Sequence, residues 1–184
     1  MKKDWDLTFL QIAATMSEHS TCSRVQVGAV LTKDRRIISC GYNGVPSKQK
    51  ECKDYFEEEF KKLPIRLNPD KGAKWEFTFE DWIKTPEFSD LHRQFSLDNE
   101  LHAEQNAIGY AARNGISTEG STMYLTCSAC KQCAKLIIAA GIKKIIFSER
   151  YNRPEDDGLP LLIQNNIKCL WFSLEDKCFI QGWN

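Results

Sequence analysis

Apolar residues recur near helical spacing from Trp5 to Ser17, at Leu7, Leu10, Ile12, Ala13 and Met16, and this spacing predicts an opening helix. Two β-rich runs, Val25–Thr32 and Arg36–Tyr42, follow it and are joined by a Lys33-Asp34-Arg35 turn, which predicts a hairpin. An apolar stripe from Asn99 to Asn114 ends at Gly115, Thr122–Thr126 reads as a short strand, and Ala129–Ala140 reads as a helix closed by Gly141. Lys144–Ser148 is then a strand, Asp157–Asn166 a helix, and Ile167–Phe172 the last strand. Strands separated by helices of this length imply βαβ crossovers, so the fold class expected is α/β, with helices on both faces of a sheet.

Between Val45 and Leu97 this periodicity fades into Lys, Glu, Pro and aromatic residues. A structureless loop of that size is unusual inside a compact domain, so an ordered insertion at about residues 46–97 is expected. Trp75, Phe77, Phe79 and Trp82 would anchor it by burying large surfaces, and Asp54–Lys62 would form a short charged helix. The 184 residues, 42% of them hydrophobic, suffice for one domain with a real core and hardly for two, so residues 1–184 are read as a single domain carrying that insertion.

Charge removes one class of partner. Lys plus Arg and Asp plus Glu each number 25, and a chain without net charge lacks the basic field that drives non-specific nucleic-acid binding. No apolar run approaches the ~20 residues of a membrane span, and no signal-peptide core follows Met1-Lys2-Lys3-Asp4-Trp5-Asp6, so a cytoplasmic location without membrane partners is expected. In that reducing setting the eight cysteines are expected to bind metal or lie in the core and not to form disulfides. Cys40, Cys127, Cys169 and Cys178 each lie within or beside an apolar run and are expected as core or pocket-wall residues.

The candidate chemistry sits in His102-Ala103-Glu104 and Ala129-Cys130-Lys131-Gln132-Cys133. Cys130 and Cys133 are three apart at a helix start, share a face, and are favoured as thiolates by the positive end of the helix dipole. With His102 they make three zinc ligands and leave a fourth position for water, as catalytic sites do, whereas structural sites fill all four. Glu104, two residues beyond His102, cannot point the same way on a regular helix, so it should flank the metal and serve as the proton carrier. The spacing is the H-x-E then P-C-x-x-C mark of zinc deaminases of nucleobases, with Ala129 in place of the proline. A structural zinc site with Glu104 on the surface is the blander alternative. Cys127-Ser128-Ala129-Cys130 is also C-x-x-C, but Cys127 should still lie on the strand end, which favours Cys130 with Cys133.

Around these residues the chain resembles the deoxycytidylate deaminases, bacteriophage members above all, within the cytidine deaminase-like fold. The resemblance is carried by Val27-Gly28-Ala29-Val30, Gly41-Tyr42-Asn43-Gly44-Val45-Pro46, Glu100 through Ile108, and Cys133 through Lys144. It implies a three-layer α/β/α sandwich with a five-stranded mixed sheet, homohexamers, and conversion of dCMP to dUMP for thymidylate synthesis. It also implies activation by dCTP with Mg2+ and inhibition by dTTP.

The resemblance further assigns residues. His102, Cys130 and Cys133 match the catalytic zinc ligands and Glu104 the proton shuttle. Asn43 matches a deoxyribose contact, although an Asn in a tight turn also tolerates left-handed backbone, and the two roles stand side by side. Tyr151 resembles a substrate-contacting tyrosine, Arg24 and Arg113 are candidates for phosphate, and Arg113 could serve an effector instead. Phage members carry a second, structural zinc, and Cys22, Cys52, His92 and Glu100 fit it; such a site would staple the insertion and keep it ordered. His19, the spare imidazole, should lie at the end of the first helix.

Ala129 in place of the proline would loosen helix entry without loss of any ligand, and Cys127 and Val45 depart from the family pattern near the pocket, which leaves 5-substituted dCMP, or dCTP, open as substrates. A tRNA or single-stranded DNA deaminase would share the zinc core but should show a basic stripe with aromatic platforms, and the neutral charge argues against it. A non-catalytic zinc-held subunit would have lost Glu104, which is present.

Overall fold

A computed structural model describes residues 5–63 and 77–183. In chain order its elements are α1 (Trp5–Ser17), β1 (Gly28–Lys33), β2 (Arg36–Tyr42), α2 (Cys52–Lys62), α3 (Phe79–Trp82), α4 (Pro86–Asn99), α5 (Ala103–Arg113) and β3 (Thr122–Cys127). There follow α6 (Lys131–Ala139), β4 (Lys144–Glu149), a 3-10 turn (Pro154–Asp156), α7 (Leu159–Gln164), β5 (Lys168–Ser173) and β6 (Cys178–Trp183). The described residues fall into two compact units: those within Met1–Ser20, Gln26–Asn43 and His102–Asn184, and those within Thr21–Val25 and Gly44–Leu101.

The first unit is a mixed sheet in the order β2-β1-β3-β4-β5-β6. The central pairs β3/β4 and β4/β5 are parallel, and β1/β2, β1/β3 and β5/β6 are antiparallel. Strand alternation divides the core cleanly. Val30, Tyr124, Ile146 and Phe172 pack with Phe9, Leu10 and Ala13 of α1, while Ala29, Leu31, Met123, Leu125, Ile145 and Phe147 pack with α5, α6 and α7. The result is the α/β/α sandwich expected, with one strand more.

The additional strand, β6, corrects the reading of Ile167–Phe172 as the last. Ser173 Oγ accepts from the Asp176 amide at 2.9 Å and Lys177 takes φ 54°, which turns the chain back along β5. Cys178 through Gly182 are exposed, so this edge strand has no buried face to imprint a period of two. Cys178 is therefore at the surface and not in the core. Cys40 is exposed as well, because the edge strand β2 buries Ser39 and Gly41 beneath α5 and turns Cys40 outward. Cys169 is buried and Cys127 half-buried.

Several boundaries shift for identifiable reasons. Strand β1 begins at Gly28, not Val25, and α6 begins at Lys131 with Cys130 as its cap. The predicted Asp157–Asn166 helix is a 3-10 turn followed by the shorter α7. The stripe from Asn99 to Asn114 is not one helix: Glu100 (φ −96°, ψ 142°) and His102 (φ −72°, ψ 159°) are extended. Leu101 between them exchanges two backbone hydrogen bonds with Gly44, at 2.9 and 3.0 Å, so tertiary pairing overrides local preference.

The second unit is helical where the pattern faded. Thr78 and Asp81 form a capping box on α3, and Thr85 caps α4 with Pro86 in its first turn. Phe56, Trp82 and Phe88 are fully buried and stack edge-on, with ring centroids 4.8 to 6.0 Å apart. Phe77 and Phe79 pack against this cluster, and Trp75 lies outside the described residues. Among the described residues no helix is long and apolar enough to cross a membrane.

Candidate metal centre and active site

Two adjoining helix starts in the sheet unit assemble the first cluster. His102 is the N-cap of α5, and its amide donates to Oε1 of Gln105 at 2.7 Å, which fixes the residue just before the helix begins. Strand β2 approaches α5 through Gly41, where a Cβ would come within 2.6 Å of the Ala103 carbonyl oxygen and the Ala107 nitrogen. Cys130 is the N-cap of α6 and Cys133 lies one turn in, so both thiols face the same side.

His102 Nδ1 stands 3.6 Å from Cys130 Sγ and 3.3 Å from Cys133 Sγ. Tetrahedral bonds of about 2.3 Å to sulfur and about 2.0 Å to nitrogen place such donors roughly 3.6 Å apart, so this donor set fits zinc. The Cys133 thiol beside it, with help from His102, holds the Cys130 thiol down to about 4, while the hydrogen bond to Cys130 and burial push Cys133 up. A cation bound there would meet both sulfurs as thiolates, the form in which cysteine ligates zinc.

Glu104, in the first turn of α5, is 4% exposed. Burial pushes its carboxyl above the usual carboxylate range, against the lowering influence of His102. It is not among the donor atoms that converge, which are those of His102, Cys130 and Cys133. A carboxyl beside three ligands, poised to hold and release a proton, is the arrangement that general acid–base chemistry on a metal-activated water requires. Cys127, paired with Glu149 at the end of β3, also stands outside that set, and burial together with Glu104 pushes its thiol up to about 12.

The rest of the site comes from loops that the sequence did not single out. Ser128 is buried, and its Oγ accepts from the Tyr151 amide at 2.9 Å. The Gly158 amide donates to the Ala129 carbonyl at 3.0 Å, and a Cβ on Gly158 would lie 2.6 Å from the carbonyl oxygens of both Ala129 and Cys130. Gln105 had a detectable signal, since His102-x-x-Gln105 has capping-box spacing; Gly158 had none, because the backbone it meets is remote in sequence.

Asn43 is buried, its Oδ1 accepting from the Val27 amide at 2.8 Å. Tyr151 is half-buried against the α5–α6 side of the core, and burial pushes its phenol up to about 12. Arg24 belongs to the second unit, where its Nη1 donates to the Ser89 carbonyl at 3.5 Å. Arg113 lies over the Tyr110 ring, 5.3 Å from its centroid, in the last turn of α5 and so ~16 Å along that helix from His102. His19 follows α1, its ring 5.9 Å from that of Tyr42.

The second unit holds a second cluster. The donor atoms of Cys22, Cys52, His92 and Glu100 all lie within 4.8 Å of one another, and all four residues are buried. His92 Nε2 is 3.2 Å from Cys22 Sγ and 3.5 Å from Cys52 Sγ, and its ring stacks on Phe56 at 5.6 Å. The neighbouring Cys52 thiol, and then His92, hold Cys22 down to about 4, while Cys22 and burial push Cys52 up. Burial, and then Cys22, push the Glu100 carboxyl up, and its Oε1 is buried with no hydrogen-bond partner. Three groups that become anionic, packed with one orphaned oxygen, form a donor set that a divalent cation would complete.

Comparison with known proteins bears on the family of the chain. A family profile described as "Cytidine and deoxycytidylate deaminase zinc-binding region" matches residues 3–149. The deoxycytidylate deaminase of Enterobacteria phage T2 is 40% identical over 186 aligned residues, which cover 93% of this chain and 97% of that protein. That of Enterobacteria phage T4 is 43% identical over 159, covering 83% and 82%. Among solved structures, the dCMP deaminase of cyanophage S-TIM5 in complex with dCMP and dUMP superposes with a TM-score of 0.63 at 27% identity, over 92% of this chain and 97% of that one.

Proposed function

Because the chain belongs to the cytidine and deoxycytidylate deaminase zinc-binding family, we propose that it hydrolyses dCMP to dUMP and ammonia. The observation that carries this reading is the buried Glu104 beside a converging His102, Cys130 and Cys133. Zinc held by those three residues supplies, when bound, a Lewis acid that brings the pKa of a water molecule toward neutrality. Glu104 takes one proton from the water and delivers it to N3 of the ring as oxygen adds to C4, then takes the second proton from the new C4 hydroxyl and passes it to the amino group as the C4–N bond breaks and the C4 carbonyl forms. One water enters, one ammonia leaves, and Glu104 ends as it began. Burial raises the Glu104 carboxyl above the usual carboxylate range, the direction that favours its carrying a proton between transfers.

Substrate contacts are assigned in the same reading: Asn43 to the deoxyribose, Tyr151 to the base, and Arg24 to the phosphate. The second cluster, Cys22, Cys52, His92 and Glu100, is a structural zinc site; its closed donor set and the unpartnered Glu100 Oε1 support this. We further propose a homohexamer in the host cytoplasm, supplying dUMP for thymidylate synthesis, activated by dCTP with Mg2+ and inhibited by dTTP, with Arg113 in contact with the effector. The deciding experiment measures ammonia release from dCMP, dCTP, 5-methyl-dCMP and deoxycytidine, each with and without dCTP or dTTP. The expected result is preference for dCMP; release from dCTP or 5-methyl-dCMP alone would reassign the substrate.

A further inference from the structure

Three cations stand on or beside the loop that follows β4: Lys131, Arg150 and Arg153. Two of them are engaged. Arg150 Nη2 donates to Asp157 Oδ2 at 3.2 Å, and Lys131 Nζ donates to the Glu155 carbonyl oxygen at 2.5 Å. The Arg153 side chain is half-buried, yet its guanidinium makes no hydrogen bond or ion pair among the described residues. A guanidinium carries five donors in a planar fork that matches phosphate, so one held partly out of water and unpaired has its main bonding capacity unused.

The loop is pinned at both ends to the segment that presents the metal ligands. Tyr151 is tied to Ser128, Gly158 is tied to Ala129, and Cys130 forms an isolated antiparallel bridge with Asp157. Arg153 therefore stands mid-way along an arch that rises from Ser128 and returns to Cys130. Tyr151, two residues earlier on the same arch, packs against the core cluster that contains Cys130, so the free cation, the aromatic ring and a metal ligand lie along one stretch of chain. A nucleoside monophosphate presents one strongly anionic group, and a loop at the carboxyl end of parallel strands is where α/β sheets receive ligands.

We propose that Arg153 reads the 5′-phosphate of the substrate, gripping it from the catalytic unit itself, and so makes the enzyme prefer the nucleotide to the nucleoside. This rests on the deaminase reading above. Arg153 takes no part in proton transfer. It is a specificity residue, whose loss weakens binding and spares the chemical step.

The test compares wild type, Arg153→Ala and Arg153→Lys, all at equal zinc content, in the KM for dCMP, the Kd for dUMP and the turnover of deoxycytidine. Arg153→Ala is expected to raise the KM for dCMP and the Kd for dUMP about 10- to 100-fold, as expected for a lost charge-assisted contact, with kcat within about twofold. Its kcat/KM for deoxycytidine should be unchanged, and Arg153→Lys should recover part of the loss, because an ammonium keeps the charge without the fork. Unchanged KM and Kd in Arg153→Ala, or an equal loss on dCMP and deoxycytidine, would overturn the proposal. Wild-type protein that binds dUMP through Arg153 but releases no ammonia from dCMP would instead overturn the reaction and leave the phosphate contact standing.

Discussion

Nδ1 of His102 lies 3.3 Å from Sγ of Cys133, a separation set by two helix starts on either side of a strand and by nothing nearer in sequence. Glu104 is buried beside this pair without joining it. Ligation and proton transfer are thus assigned to different side chains, and they should separate on mutation. Glu104→Gln should keep its zinc, measured by metal analysis of the pure protein, while ammonia release falls by about 10²- to 10⁴-fold. Activity near wild type in that variant would sink the mechanism.

Gln105 Oε1 accepts the His102 amide, so its removal should loosen the ligand without touching the substrate. Gln105→Ala is expected to weaken zinc binding about tenfold, read as faster loss of the metal to a chelator, with kcat per bound zinc preserved.

Gly158 is constrained by space. An alanine there would set its Cβ 2.6 Å from two carbonyl oxygens of the ligand loop, backbone atoms that cannot swing aside. Gly158→Ala should cost about 1–3 kcal/mol of stability in denaturant titration and should shift the metal affinity as well. A neutral result would mean that this loop gives way more easily than its hydrogen bonds indicate.

The second cluster has its own readout. Native protein should carry about two zinc per chain, and Cys52→Ser about one, with a lowered Tm and the catalytic metal retained. A single zinc in wild type that survives Cys52→Ser would remove the structural site from the account.

Ala129 stands where the related motif has proline, and its amide makes no hydrogen bond among the described residues. Ala129→Pro should therefore keep activity and zinc, and stiffening of the unfolded chain should stabilise the protein by about 0.4–1 kcal/mol in the same titration.

The sheet core and the first cluster were legible in the sequence for a shared reason: each leaves a short-range mark. Strands such as Lys144–Glu149 carry buried Ile145, Ile146 and Phe147 in succession, and Cys130 and Cys133 announce a shared helix face by their spacing. What escaped depends on distant partners. The break at Glu100–His102 is imposed by Gly44, and β6 is exposed at the sheet edge, where no burial pattern marks it. Cys40 and Cys178 were misjudged because an apolar neighbourhood in sequence says nothing of which face a strand turns outward. The second cluster has no regular spacing at all; resemblance proposed it, and periodicity could not have done so.

That irregular spacing has a consequence for the unfolded chain. Cys22 and His92 are 70 residues apart, and a metal joining them closes a loop of that size as a covalent cross-link would. On the chain-entropy estimate, tying off such a loop removes about 4 kcal/mol of freedom from the denatured ensemble, comparable to the net stability of many small domains. With the proposed structural zinc in that cluster, metal supply during synthesis would govern how much of the helical unit is populated.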